Sequence, residues 1–475
     1  MNKVCKMKIS KQQRYKSKAS NLGKSKLITK ILQIKQKRKI EEKIRLVTKY
    51  DIVTDLPNRV YFFEKLNKVL KEITINNRKG AIIYINIDNY KVINEFFGND
   101  LGDLTLKVIA NLINNCLGEH SELTRLNGDE FAILVYKLND IEEIKKICSE
   151  IYEQLKEPFK IMNNNIYINV SMGISIFPDN SMDSDELIRF CNFAMCKSKN
   201  NEKNTYTIFN NEMSDTYYRE TLITIELKNA INNNELDVFY QPQIDSSNNQ
   251  IIGMEALLRW NNNKLGNVSP AEFIPIAEKT GDIIEIGEWV LDNALKQACV
   301  WKGKGYRFNT ISVNISAIQM RKIDFKKNLL NMCTKYNIPS KFFEIEITES
   351  NLIDICKEKI ETLTELMNSG INIAIDDFGT GYSSLNYLIN LPINTLKIDK
   401  TFVDKIYNYK NRILIKSIID LAKSLKYKIV TEGVETKEQL DLLTELGCNI
   451  IQGFYFSKPL PKNKMEDLLK MNSQI

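Results

Sequence analysis

The chain has 475 residues, 43% of them hydrophobic and 26% charged, a globular balance that excludes a disordered chain, a collagen and a small disulfide-stapled scaffold. No apolar run reaches the roughly 18 to 20 residues of a spanning helix and no secretory leader is visible, so a cytoplasmic protein is expected. His120 is the sole histidine, which excludes Ser-His-Asp and Cys-His catalysis and leaves any metal mainly on oxygen ligands, favouring a hard ion such as Mg2+ or Mn2+.

The formal charge of +7 is unevenly placed. Residues 1–46 carry 13 Lys and 3 Arg against Glu41 and Glu42, a net +14, so the rest of the chain carries −7. Such a block reads as a solvated arm or as an attachment to a membrane surface or nucleic acid. Apolar residues at helical spacing over 27–47 predict a helix that feeds the first domain and pairs with a second copy. The nine scattered cysteines form no CxxC pattern and read as reduced thiols.

From about residue 50 to 210, helix-length stretches alternate with β-rich runs: AIIYINI (81–87), LTRL (123–126), FAILVY (131–136) and IYINVSMGISIF (166–177). That pattern predicts an α+β domain of ferredoxin-like size. From about 215 onward come eight β-rich runs separated by helix-length segments: LDVFYQP, IIGMEALLRW, ISVNIS, FFEIEITE, INIAIDD, TLKID, KIVTEGV and NIIQG. Eight strands with helices between them in about 250 residues predict a (β/α)8 barrel.

Each of those runs ends in polar residues: Gln241, Glu255, Asn314, Glu346 with Glu349, Asp376 with Asp377, Lys397 with Asp399, Glu432 with Glu435, and Gln452. Barrel strands open their C-terminal ends on one face, so these groups are expected to converge in one mouth. Carboxylates that close repel and raise one another's pKa; one or two divalent cations would relieve this. Unrelated caps and turns would explain single positions but not the recurrence.

The stretch Glu255-Ala256-Leu257-Leu258-Arg259 resembles the signature of the EAL domain, a cyclic di-GMP phosphodiesterase. The resemblance covers the whole second body, through Tyr240-Gln241-Pro242, Val313-Asn314-Ile315-Ser316, Glu346-Ile347-Thr348-Glu349, Asp376-Asp377-Phe378-Gly379, Lys397-Ile398-Asp399, Glu432-Gly433-Val434-Glu435 and Gln452-Gly453. It implies hydrolysis to linear pGpG. Glu255, Asn314, Glu346 and Asp376 match ligands of a first metal. Asp377 matches a ligand of a second, helped by Asp376 and Glu432. Lys397 matches the residue that orients or activates the attacking water, Glu432 a candidate general base, and Glu349 the residue that pins the loop 377–385. Gln241, Arg259, Glu435 and Gln452 look like substrate contacts. No position of the family's catalytic set is missing, which speaks against a non-catalytic receptor.

The first body resembles a GGDEF domain, the diguanylate cyclase fold. Asp55-Leu56-Pro57-Asn58-Arg59, Asp88-Asn89-Tyr90-Lys91, Arg125-Leu126-Asn127-Gly128-Asp129-Glu130-Phe131 and Ser171-Met172-Gly173-Ile174 carry the resemblance. Asn94 and Asp103 match its guanine-reading pair, and Asp129 and Glu130 its signature acids. Three positions depart. Asn86 stands where the family has a Mg2+-ligating Asp, Asn127 where it has the first signature glycine, and Asn99 where it usually has His. Asn127-Gly128 is expected to form a type I′ hairpin turn. The positions of the inhibitory RxxD motif hold Gly118 and Ser121. The resemblance with these departures implies a degenerate cyclase serving as a GTP-binding or dimerising regulator; a bifunctional enzyme is the alternative. The expected layout is a basic tail and helix over 1–47, a GGDEF domain over 48–212 and an EAL domain over 213–475, as a homodimer.

Overall fold

The computed structural model describes residues 48–76, 78–161, 164–200, 205–349, 357–379, 388 and 391–473. The basic tail and the helix expected over 27–47 lie outside them. The chain divides into two compact units, Met1–Tyr218 and Arg219–Ile475.

In the first unit, β1 (Lys79–Ile87), β2 (Ser121–Asn127), β3 (Glu130–Leu138), β6 (Val170–Phe177) and β7 (Tyr206–Ile208) form one sheet in the order β2-β3-β1-β6-β7, while β4 (Phe159–Ile161) and β5 (Asn164–Ile166) make a separate hairpin. Only the β6–β7 pair is parallel. Alternate side chains of β1 point to opposite faces. Ile82 and Tyr84 pack with Phe62, Leu66, Leu187 and Cys191 of helices Arg59–Asn76 and Ser184–Asn200. Ile83 and Ile85 pack with Leu106, Ile109, Ile144 and Cys148 of helices Asn99–Asn115 and Ile141–Leu155. A strand covered on both faces explains the unbroken apolar run AIIYINI.

The signature hairpin turns one residue later than expected. Asn127 closes β2 opposite Glu130, so the two central residues are Gly128 and Asp129. Gly128 has φ +47° and Asp129 does not share a positive φ, the type II′ pattern rather than I′.

Gly173 faces helix Ser184–Asn200 at backbone distance. A Cβ there would lie 2.0 Å from the Cys191 carbonyl oxygen and 2.3 Å from the Met195 amide nitrogen. Because both obstacles are backbone, Gly173→Ala is expected to destabilise the first unit by about 1–3 kcal/mol. A urea melt should show a lower midpoint, and an unchanged one would mean that this helix sits farther from the sheet.

The second unit is a closed barrel. Its strands are β8 (Leu236–Asp245), β9 (Gln250–Asn262), β11 (Thr310–Asn314), β12 (Phe343–Thr348), β13 (Asn372–Phe378), β14 (Thr395–Ile398), β15 (Lys428–Thr431) and β16 (Ile450–Ile451), with β10 (Gly266–Val268) and β17 (Leu460–Pro461) at its edges. Eight strands were expected, but the strict strand–helix alternation fails at the start. β8 runs antiparallel to both its neighbours, β9 and β16. The reason is the short link 246–249, which suffices for a hairpin, whereas a parallel crossover needs a dozen or more residues. The other seven strands are parallel in sequence order.

Aromatic packing ties barrel to outer helices. Trp301 lies edge-on to Tyr240 at 4.8 Å between centroids and Trp260 edge-on to Phe273 at 5.4 Å. The described cysteines are all free. Among the described residues no helix is long and apolar enough to cross a membrane.

Candidate functional site

The parallel strands bring their C-terminal ends together. Glu255 comes from β9, Asn314 from β11, Glu346 from β12, Asp376 and Asp377 from β13, and Lys397 from β14. Glu432 follows β15 and Gln452 follows β16. Caps fix the chain just beyond. Ser316 and Gln319 close a capping box after β11, Asp399 caps helix Lys400–Asp404 after β14, and Thr436 and Gln439 close a second box after β15. Gln241 reaches the same layer from the reversed strand β8, directly opposite Glu255.

Lys397 is the centre. Its side chain is 0% exposed, and its Nζ lies 2.6 Å from Glu346 Oε2, 2.6 Å from Glu432 Oε1, 3.1 Å from Asp376 Oδ1 and 3.4 Å from Glu255 Oε2. Glu255 also accepts from Asn314 Nδ2 and Gln452 Nε2, each at 2.6 Å. One ammonium thus faces four carboxylates. Burial works against the charge of Lys397, yet those carboxylates, Asp376 foremost, hold it protonated well above its usual range. Burial also opposes charge on Glu255, but Lys397 and the amides of Gln452 and Asn314 more than offset it and keep Glu255 below the usual range.

The other acids lack that compensation. Burial pushes Glu346 well up, and the charge of Glu255 adds to it. Burial raises Asp376 against the pull of Lys397, lifts Glu432 to about 8, and lifts Asp377 to about 6 with Asp376 as the next cause. The mouth is short of positive charge.

Two overlapping groups have the donor set for divalent cations. Glu255, Glu346 and Asp376 each offer an oxygen within 4.8 Å of the others, and Asp376, Asp377 and Glu432 do the same. Glu346 Oε1 is buried without a hydrogen-bond partner among the described residues. A buried orphan acceptor in an all-oxygen, charge-deficient cluster fits a hard cation.

Asp377 adopts φ +54°, a left-handed conformation that costs a non-glycine residue about 1–3 kcal/mol. Its amide donates to Asp376 Oδ1 at 3.0 Å. Glu349 accepts from the Gly379 amide at 2.6 Å; residues 380–385 of the loop expected to be pinned by it lie outside the described residues. Arg259 is four residues beyond Glu255 on β9 and therefore on its face, with its guanidinium 5.7 Å over the Phe239 ring. Glu435 is exposed and paired with Lys400, outside the buried cluster.

Two buried residues escaped the sequence reading. Gln243 is 0% exposed and donates to Gln452 Oε1 at 3.2 Å. Glu344 accepts from Ser312 Oγ at 2.8 Å and Thr395 Oγ1 at 2.6 Å, one layer below Glu346. Period-2 alternation carried the signal, since Gln243 shares a face with Gln241 and Glu344 with Glu346.

In the first unit, Asn94 Oδ1 and the Tyr90 hydroxyl both crowd over Gly102, beside Asp103. Asn86 Nδ2 donates to Asp129 Oδ2 at 3.1 Å, and Glu130 pairs with Asn86 across the sheet. Lys199 adds what the sequence did not suggest. Its Nζ donates to Asn86 Oδ1 at 3.0 Å and lies 3.9 Å from Asp88 Oδ1. The one oxygen Asn86 could offer a metal is already given to an ammonium.

The EAL domain family matches residues 225–459, and the diguanylate cyclase GGDEF domain family matches residues 48–205. The chain belongs to the GGDEF–EAL tandem family. It is 33% identical over 438 residues to the bifunctional diguanylate cyclase/cyclic di-GMP phosphodiesterase MucR of Pseudomonas aeruginosa, covering 92% of this chain. It is 31% identical over 429 residues to the cyclic di-GMP phosphodiesterase PdeR of Escherichia coli, covering 90% of this chain. The chain spans 64% of the length of each. A solved structure described as the PaMucR phosphodiesterase in complex with c-di-GMP superposes with a TM-score of 0.50 at 39% identity, covering 51% of this chain and 99% of that one.

Proposed function

We propose that the EAL domain hydrolyses cyclic di-GMP to linear pGpG with two divalent cations, Mg2+ or Mn2+, and that the GGDEF domain regulates it without synthesising the messenger. The observation that carries this reading is the buried Lys397 ringed by Glu255, Glu346, Asp376 and Glu432. Glu255, Asn314, Glu346 and Asp376 would hold one cation, and Asp377, Asp376 and Glu432 the other. Bound there, such ions supply Lewis acidity and neutralise charge developing on the phosphoryl oxygens.

The chain's own groups do the rest. Lys397 orients a water for in-line attack on phosphorus, and Glu432, whose Oε1 lies 2.6 Å from the Lys397 ammonium, takes its proton. The water oxygen bonds to phosphorus as the ring P–O bond breaks, and the leaving oxygen takes up a proton. Glu349 holds the loop that carries Asp377. Gln241, Arg259, Glu435 and Gln452 contact the nucleotide. The layout 48–212 and 213–475, a homodimeric state and a cytoplasmic location belong to the same reading.

The test is incubation of the purified chain with cyclic di-GMP in Mg2+ and in Mn2+. A single product one water heavier than the substrate is expected. Tight binding without turnover would make the barrel a receptor instead.

For the first domain, no cyclic di-GMP is expected from GTP, because Asn86 gives its oxygen to Lys199 and an amide is a poorer ligand than a carboxylate for a hard cation. The assay belongs on a Glu255→Ala background, where the barrel cannot consume product. Synthesis there would replace this reading with the bifunctional one. GTP bound near Asn94 and Asp103 is expected to shift the barrel's substrate requirement by about 5- to 150-fold, the usual scale of allosteric coupling. Asp103→Ala should abolish that response.

A further inference from the structure

A lysine and two amides run through the barrel interior to Glu255, with a third amide, Gln241, beside them. Lys428 Nζ, at the start of β15, donates to Gln243 Oε1 at 3.3 Å. Gln243 Nε2 donates to Gln452 Oε1 at 3.2 Å. Gln452 Nε2 donates to Glu255 Oε2 at 2.6 Å and to Gln241 Oε1 at 3.3 Å. Gly253 leaves the space for this file, since a Cβ there would lie 2.9 Å from Gln243 Oε1 and 2.7 Å from Thr310 Oγ1.

A side-chain amide has a donor end and an acceptor end and can face either way. In this file the direction is fixed from both ends. An ammonium only donates, so Gln243 turns its oxygen to Lys428 and its NH2 to Gln452. Gln452 must then turn its oxygen to Gln243 and its NH2 to Glu255, where an ionised carboxylate only accepts. A reversed Gln452 would set a carbonyl oxygen against Glu255 at 2.6 Å. We propose that Lys428 and Gln243 are positioning residues for Glu255, acting through the amide of Gln452 to keep an N–H on its carboxylate. The proposal rests on the reading of the barrel mouth as a divalent-cation site.

Partners that orient a metal-ligating side chain are worth about 10- to 100-fold in metal affinity, and that is the scale expected here. Lys428 is only partly buried, so it tolerates substitution better than the enclosed Gln243. The measurement is Mn2+ binding to the full chain, followed by loss of the free-ion electron paramagnetic resonance signal, with the Glu255→Ala protein as the blank and a thermal melt on each variant. Lys428→Arg keeps a donor and should bind Mn2+ like the wild type. Lys428→Met should bind more weakly. Lys428→Glu presents only acceptors, reverses the file and should bind weakest, by about tenfold or more. In a Gln452→Leu background the three Lys428 variants should become equal, because their route to Glu255 is gone.

Wild-type affinity in Lys428→Glu overturns the proposal, as does a Lys428→Glu loss that persists without Gln452, which would mark a long-range charge effect. Hydrolysis of cyclic di-GMP, measured in parallel, separates the two readings. A wild type that binds Mn2+ with the predicted variant order but does not hydrolyse leaves the file standing and removes the enzyme assignment. One that hydrolyses with no variant order does the reverse. A wild type with no Mn2+ signal above the blank overturns the file itself.

Discussion

Glu255→Ala is expected to lower cyclic di-GMP hydrolysis by more than about a hundredfold while leaving the barrel folded, since even outer partners of metal ligands are worth 10- to 100-fold. The fold should survive for an electrostatic reason. The charge of Glu255 is, after burial, the largest influence raising Glu346, so its removal relieves a like-charge contact. Of the groups that lose an acceptor, Asn314 is exposed and can turn to water, and Lys397 keeps three other carboxylates. The NH2 of Gln452 also gives up a buried contact, and it keeps Gln241. Circular dichroism and a melt near the wild-type temperature would establish folding. Turnover within about threefold of wild type in such a protein would remove Glu255 from the site. The wild-type protein in excess chelator should likewise read zero.

The mouth was legible because chemistry-bearing residues fell at the ends of apolar runs, and strand ends in a parallel barrel have only one place to go. Glu255, Glu346, Asp376 and Lys397 can therefore be grouped from the sequence alone. Their mutual geometry was not legible. That Lys397 stands within hydrogen-bonding reach of Glu346 and Glu432, with Glu255 slightly farther, depends on barrel registers. The reversal of β8 was readable in retrospect from the link 246–249, whose Ser, Asn and polar neighbours make a turn and leave no room for a helix. Gln243 and Glu344 lie on the inward face below the strand ends, where no motif marks them. Lys199 could not have been placed by any local pattern, since Asn86 is 113 positions away.

That inward face departs from the branched apolar layers usual in such barrels. Ser312, Glu344, Thr395 and Gln243 are all at most 1% exposed. The hydroxyls of Ser312 and Thr395 satisfy both oxygens of Glu344, and Gln243 hands its donor upward to Gln452. The acidic layer of the mouth thus rests on a layer of neutral hydrogen-bonding groups, a support that adds no negative charge beyond Glu344 to a mouth already rich in it.

Lys397→Met should therefore have the largest effect on stability. The methionine keeps the stem and removes the ammonium, leaving Glu346, Glu432, Asp376 and Glu255 around an apolar end. Breaking a buried ion pair by removing one partner costs about 3–5 kcal/mol. The variant's hydrolysis should fall at least about a hundredfold, as for loss of a preorganised transition-state contact. The stability loss should depend on pH. Burial already holds Glu346, Asp376 and Glu432 above their ordinary values, and losing Lys397, which pulls all three down, raises them further. A carboxyl raised in the folded state binds its proton there and not in the unfolded chain, so stability falls as pH rises from about 4.5 toward the raised value. In metal-free buffer the deficit against wild type should be larger at pH 8 than at pH 5.5. Added Mn2+ should recover part of it by supplying the missing positive charge, since a ligand that binds only the folded state stabilises it. A melt of Lys397→Met that matches wild type at both pH values would mean that the four carboxylates do not depend on this ammonium. A deficit that Mn2+ leaves untouched would mean that the cluster, stripped of its lysine, does not take a divalent cation.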